Sequence, residues 1–99
     1  MATYILLLKY TDQGVREVKQ LASIRPDLRA LVDQLGGKMI SGYVTQGQYD
    51  GILTVDFPDD AAAAAFSVAL AKRGRNRTET LRAYTLDEFQ AILEKVPNS

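Results

Sequence analysis

The side chains best placed to do chemistry are Tyr49 and Asp50, which close the short turn Gly47-Gln48-Tyr49-Asp50. A phenol beside a carboxylate at a tight turn can rim a ligand pocket, because loops on a rigid scaffold often carry binding groups. The same pair suits plain turn formation, with Asp50 accepting from nearby backbone amides and Tyr49 lying over a strand end. That is the preferred reading. A second group is Arg77, Glu79 and Arg82. Strand alternation puts Arg77 and Glu79 on one face and Arg82 on the other. On an uncovered face an arginine can grip a carboxylate or phosphate through two parallel hydrogen bonds. As solvated ion pairs the same residues would contribute only about 0–1 kcal/mol. Tyr43, Thr45, Thr78, Thr80 and Tyr84 supply hydroxyls that would line a subunit interface or a hollow with a few polar groups.

Histidine and cysteine are both absent from the 99 residues. This removes disulfides, Cys/His zinc sites, His-ligated haem, a cysteine nucleophile and a Ser-His-Asp triad. No remaining side chain titrates near neutrality unless its pKa is shifted, so proton transfer would fall to a carboxylate, tyrosine or lysine. Carboxylate-only Mg²⁺ or Ca²⁺ sites stay chemically open, but no metal and no cofactor is expected. Twelve basic residues cancel twelve acidic ones. Nucleic-acid binders usually carry a basic surplus, so no nucleic-acid partner is expected, and Lys72, Arg73 and Arg75 read as a wetted corner. The apolar run Ile5 to Leu8 is too short for a signal core or a membrane span. A cytoplasmic protein without a membrane partner is the expectation.

The elements that must position these groups follow from periodicity. Thr3 to Tyr10 reads as a strand that is apolar on both alternating faces, so something must cover each face. Thr11 to Gly14 reads as a turn, and Val15, Val18 and Leu21 as an irregular or weakly helical stretch. Pro26 suits the first position of a helix carrying Leu28, Leu31, Val32 and Leu35 on one stripe, closed by Gly36-Gly37. Lys38 to Gln46 and Gly51 to Phe57 form a hairpin. Asp59 or Asp60 caps a helix from Ala61 to Arg73, ended by Gly74, and Arg75 to Tyr84 is the last strand. Thr85-Leu86-Asp87-Glu88 is a capping box that opens a final helix.

The order β-α-β-β-α-β plus a C-terminal helix is the ferredoxin-like α+β arrangement. Right-handed crossovers predict a four-stranded antiparallel sheet in spatial order 4-1-3-2, with both helices on one face. One domain spans residues 1–99. The chain is too short to cover the second face itself, so a second copy is the expected cover. Tyr4, Leu6, Leu8, Tyr43, Thr80 and Tyr84 are the residues expected on that dimer face.

Tyr4 to Tyr10, Thr11-x-Gln13-Gly14, Gly36-Gly37, Gly47-x-Tyr49-Asp50 and Arg77-Thr78-Glu79-Thr80-Leu81-Arg82-Ala83 occur here in an order and spacing that resembles the GYD-domain family. The resemblance covers nearly the whole chain. It implies a ferredoxin-like, dimeric α+β-barrel fold and carries no established activity with it. The expected function is a homodimeric, or higher even-numbered, non-catalytic module with room for a small ligand between its sheets. Tyr43, Tyr49, Asp50, Arg77, Glu79 and Arg82 are the candidate ligand contacts. The alternative is a cofactor-independent oxygenase or isomerase, which would need Asp50 or Glu79 buried with a raised pKa beside Tyr43 or Tyr49. RNA binding on the sheet ranks last, because Leu53, Thr54 and Val55 stand where stacking aromatics would be needed.

Overall fold

A computed structural model describes residues 1–98, and all of their side chains except those of Leu21, Ala22 and Ile24. Nine elements follow one another: β1 (Ala2–Tyr10), α1 (Asp12–Arg16), a 3₁₀ turn (Val18–Gln20), α2 (Leu21–Gln34), β2 (Lys38–Val44), β3 (Gly51–Phe57), α3 (Asp60–Arg73), β4 (Asn76–Ala83) and α4 (Leu86–Leu93). The four strands form one sheet in the order β2-β3-β1-β4, which is the expected order read from the other edge. Every neighbouring pair is antiparallel.

Strand alternation on β1 decides what lies on each side. Tyr4, Leu6 and Leu8 are buried together with Val55 and Phe57 of β3, Val32 of α2, and Phe66 and Leu70 of α3. Both long helices therefore pack on one face of the sheet. Aromatic contacts tie this core together, with Phe57 tilted against Tyr4 at 6.0 Å and against Phe66 at 5.4 Å between ring centroids. Such geometries add about 0.5–1.5 kcal/mol beyond the area buried.

Helix boundaries show where local chemistry ruled. Gly36 (φ 77°) and Gly74 (φ 81°) take the left-handed conformation that ends α2 and α3. Asp59 accepts from Ala62 N and caps α3. Thr85 and Glu88 exchange both hydrogen bonds of a capping box at the start of α4.

Two expectations are corrected at the N-terminal end. Thr11 is not simply a turn residue but the cap of α1, accepting from Gly14 N at 3.1 Å. Pro26 lies inside α2 rather than at its start, since the helix already begins at Leu21. A proline removes one ladder hydrogen bond, and α2 spans 14 residues despite that loss. Leu21, the last of the three spaced apolar positions, has its side chain outside the described residues.

α4 behaves unlike the other elements. It buries none of its residues, and Leu86, Phe89, Leu93 and, just beyond it, Val96 are all exposed. The molecule measures 53 × 30 × 19 Å with a radius of gyration of 15.3 Å. A compact chain of this length would be near 13 Å, roughly, so the helix stands off the two-layer body. No helix among the described residues is long and apolar enough to cross a membrane.

Candidate functional site

The sheet face opposite the helices is bare. Register across the strands places Tyr43, Ile52, Leu7 and Glu79 in one row, and Ser41, Thr54, Ile5 and Leu81 in the next. Within the rows Glu79 and Ser41 stand on the edge strands and Thr54 on β3; beyond the rows lie Lys38, Asp56 and Thr3 towards one end, and Lys9 and Arg77 towards the other. Thr3 donates to Asp56 Oδ1 at 2.7 Å across that rim. An apolar centre ringed by polar groups has the composition of an interface core and its rim.

Four of the expected ligand contacts border this face. Tyr49 donates its hydroxyl to Glu79 Oε2 at 2.6 Å, and the Lys9 ammonium lies 5.7 Å from the Tyr49 ring centroid. The bond to Glu79, and secondarily desolvation, holds the Tyr49 phenol above its ordinary pKa. Tyr4 is also raised, chiefly by its hydrogen bond to Asp60 and then by burial. Neither tyrosine is thereby prepared to act as a base near neutrality. Tyr43 and Arg77 lie on the same face without joining the Tyr49–Glu79 pair.

Asp50 does something else. Its carboxylate accepts from Tyr10 N at 2.8 Å and its own N–H donates to Leu8 O at 2.8 Å. Thr45 closes the turn by donating to Tyr49 O at 2.7 Å. The Gly-x-Tyr-Asp turn thus ties the β2–β3 hairpin to the end of β1 through Asp50 and to β4 through Tyr49. Replacing Asp50 with alanine strands the Tyr10 N–H, and a loss of about 1–2 kcal/mol is expected in a thermal or urea melt. Asp50→Asn keeps an acceptor and should recover part of that loss. Tyr49→Phe, at an exposed bond, should cost less than about 1 kcal/mol.

The remaining assignments change sides. Tyr4, Leu6 and Leu8 lie under the helices, on the covered face of the sheet, whereas Ile5 and Leu7 lie on the open face. Thr80 pairs with Leu6, and Thr78 with Leu8, on the helix side. There Ser67 of α3 bonds Thr78 at 2.7 Å and Thr80 at 3.2 Å. Arg82 pairs with Tyr4, donates to Thr3 O at 3.3 Å, and stacks 4.3 Å from the Tyr84 ring centroid. Arg82 and Thr80 therefore belong to the helix side, with Tyr84 stacked on the arginine. Of the six expected dimer-face residues, only Tyr43 lies on the open side. The cause is physical: a strand apolar on both faces gives alternation without its sign.

A cleft of about 280 Å³ opens on the helix side, between α2 and the β2–β3 end of the sheet. Arg25 and Arg29 on α2 reach it, as do Arg73 and Arg75 beyond α3. Of these, only Arg73 and Arg75 stand out in the sequence, as a solvated corner. Their convergence depends on how α2 crosses the sheet, which no local spacing encodes.

Taken together, the molecule is a small two-layer α+β domain with an uncovered apolar sheet face and a detached amphipathic helix. The chain belongs to the GYD domain family, whose model matches residues 4–93. It is 32% identical over 95 residues to the glutamine synthetase and cystathionine beta-lyase binding protein of Thermus thermophilus, a match covering 95% of this chain and 100% of that one. Its fold is similar to the crystal structure of FFRP-DM1, with a TM-score of 0.57 over 85% of this chain and 100% of that chain. At 22% identity that likeness concerns the fold alone.

Proposed function

We propose that the chain is a non-catalytic binding module that works as a homodimer of the ferredoxin-like, dimeric α+β-barrel kind. One observation carries this reading: Ile5, Leu7, Ile52 and Leu81 share an uncovered sheet face with charge only at its margins. Leaving that face in water forfeits roughly 25 cal/mol for every Å² of apolar surface a second sheet would cover. α4 supports the same arrangement, because its exposed stripe needs a surface that its own chain does not offer. A small ligand held between the facing sheets, beside Tyr43 and the Tyr49–Glu79 pair, fits within this reading. So does a cytoplasmic setting. The Thermus relative is a binding protein for two enzymes, which favours an enzyme as the dimer's partner, with glutamine synthetase and cystathionine β-lyase as the first to try.

Light scattering after gel filtration tests the assembly. A particle of twice the 10.9 kDa chain mass is expected, and removal of residues 86–99 should shift it towards a monomer without lowering the melting temperature of the isolated chain. A lone chain at high concentration would overturn the dimer. Gel filtration with purified glutamine synthetase and cystathionine β-lyase tests the partner separately, and co-elution with neither would remove that half of the proposal.

A further inference from the structure

From the helix-side cleft we infer that the chain holds a second site, independent of dimerisation, which takes a small organic anion with an apolar tail. Its floor is apolar: Leu8 and Leu53 from the sheet, Leu70 from α3, and Leu28 from α2. Its charge is not that of the protein. Four arginines and two carboxylates, Glu17 and Asp50, line it, whereas the chain as a whole has no net charge. Both carboxylates are already engaged. Asp50 accepts from Tyr10 N, and Glu17 stands 3.5 Å from Arg75 Nε, the only ion pair among the described residues. Arg25, Arg29 and Arg73 therefore face the cleft without a carboxylate of their own. A guanidinium is the preferred partner for a planar carboxylate, which it grips through two parallel bonds.

The glycines of the cleft point the same way. Gly42 sits inside β2 and Gly51 opens β3, opposite Leu53 and Leu8 on the helix side, and neither has a positive φ. A Cβ at Gly51 would meet nothing closer than 3.4 Å, and at Gly42 only the mobile end of Leu53 at 3.0 Å. Backbone conformation does not demand glycine at either place. Glycine inside a strand weakens it and often marks a position where a ligand approaches closely. Here the two missing side chains are what leaves the cleft open. Its volume suits a ligand of on the order of ten non-hydrogen atoms.

Sodium octanoate, with octanol and octylammonium chloride as equal-length controls, is the probe. Titrated into the ¹⁵N-labelled full chain, octanoate should bind with a Kd of about 10 µM to 1 mM, the range open to so small a ligand. The amides of Gly14, Gly42 and Gly51 should shift. Octanol and octylammonium should bind at least about tenfold more weakly, and Arg29→Glu or Arg73→Glu should each weaken octanoate by a similar factor. Gly42→Val fills the cleft and should abolish binding while the native mass stays unchanged, which separates this site from the dimer face. Arg29→Glu changes an exposed side chain, so the test survives if Gly42→Val folds poorly. The inference is overturned if octanoate fails to bind at 10 mM, if octanol binds as well as octanoate, or if the shifts fall on Ile5, Leu7 and Ile52 instead.

Discussion

Replacing Leu7 with aspartate should convert the proposed homodimer to a monomer at concentrations where the unaltered chain is expected to pair. Leu7 lies between Ile52 and Glu79 near the centre of the open face. In a sheet-to-sheet dimer its two-fold counterpart would lie close by, so the substitution places like charges together in a dry interface. An unpaired buried charge typically costs about 3–5 kcal/mol, which corresponds to dissociation strengthened by at least about two to three orders of magnitude. The position is outside the helix-covered core, whose members are Tyr4, Leu6 and Leu8 on this strand. Far-ultraviolet circular dichroism should therefore change little. Tyr43→Asp guards against misfolding as an explanation, because Tyr43 is 68% exposed in the single chain. Sedimentation equilibrium on both variants gives the result. Two variants that stay dimeric would show that copies meet elsewhere.

Sequence carried the framework of this fold further than its faces. The capping box at Thr85 and Glu88, and the left-handed glycines at Gly36 and Gly74, are local signals whose chemistry acts within four residues, so they could be located directly. Strand order followed from crossover handedness, which is nearly independent of sequence detail. Pro26 misled because its fixed φ favours a helix start, whereas α2 already begins at Leu21 and runs through the proline. The hydroxyls of Thr78 and Thr80 suggested an outer face, yet Ser67 satisfies both from α3. A polar residue can lie beneath a helix when the helix brings it a partner. Tyr49 and Glu79, thirty positions apart, meet only through the sheet. The arginine cleft joins α2 to the end of α3, and its glycines look locally like ordinary strand breaks. Short-range chemistry was legible, while convergence of distant groups was not.

Gly14→Ala separates helix propensity from tertiary contact most sharply. Gly14 lies within α1 and is buried, and alanine in a helix is ordinarily favoured over glycine by about 1 kcal/mol. Propensity alone therefore forecasts a more stable protein. The structure forecasts the reverse. A Cβ at position 14 would fall 1.9 Å from Arg75 O and 2.9 Å from Arg75 C, both backbone atoms. That carbonyl also accepts from Thr11 N at 3.1 Å, and the Thr11 hydroxyl donates to Gly74 O while accepting from Gly14 N. The start of α1 and the approach to β4 are thus locked together at their closest point, and neither can move without breaking these bonds. Overpacking against backbone in such a place should cost at least about 3 kcal/mol, a large fraction of the roughly 5–15 kcal/mol that stabilises a domain. The melting temperature should fall by more than about 10 °C. Gly51→Ala provides the contrast, since its Cβ would make only ordinary contacts, and its melting point should hold or rise slightly. A Gly14→Ala protein that melted at or above the unaltered chain would mean that α1 does not approach Arg75 so closely, and the wall it gives the arginine cleft would have to be redrawn.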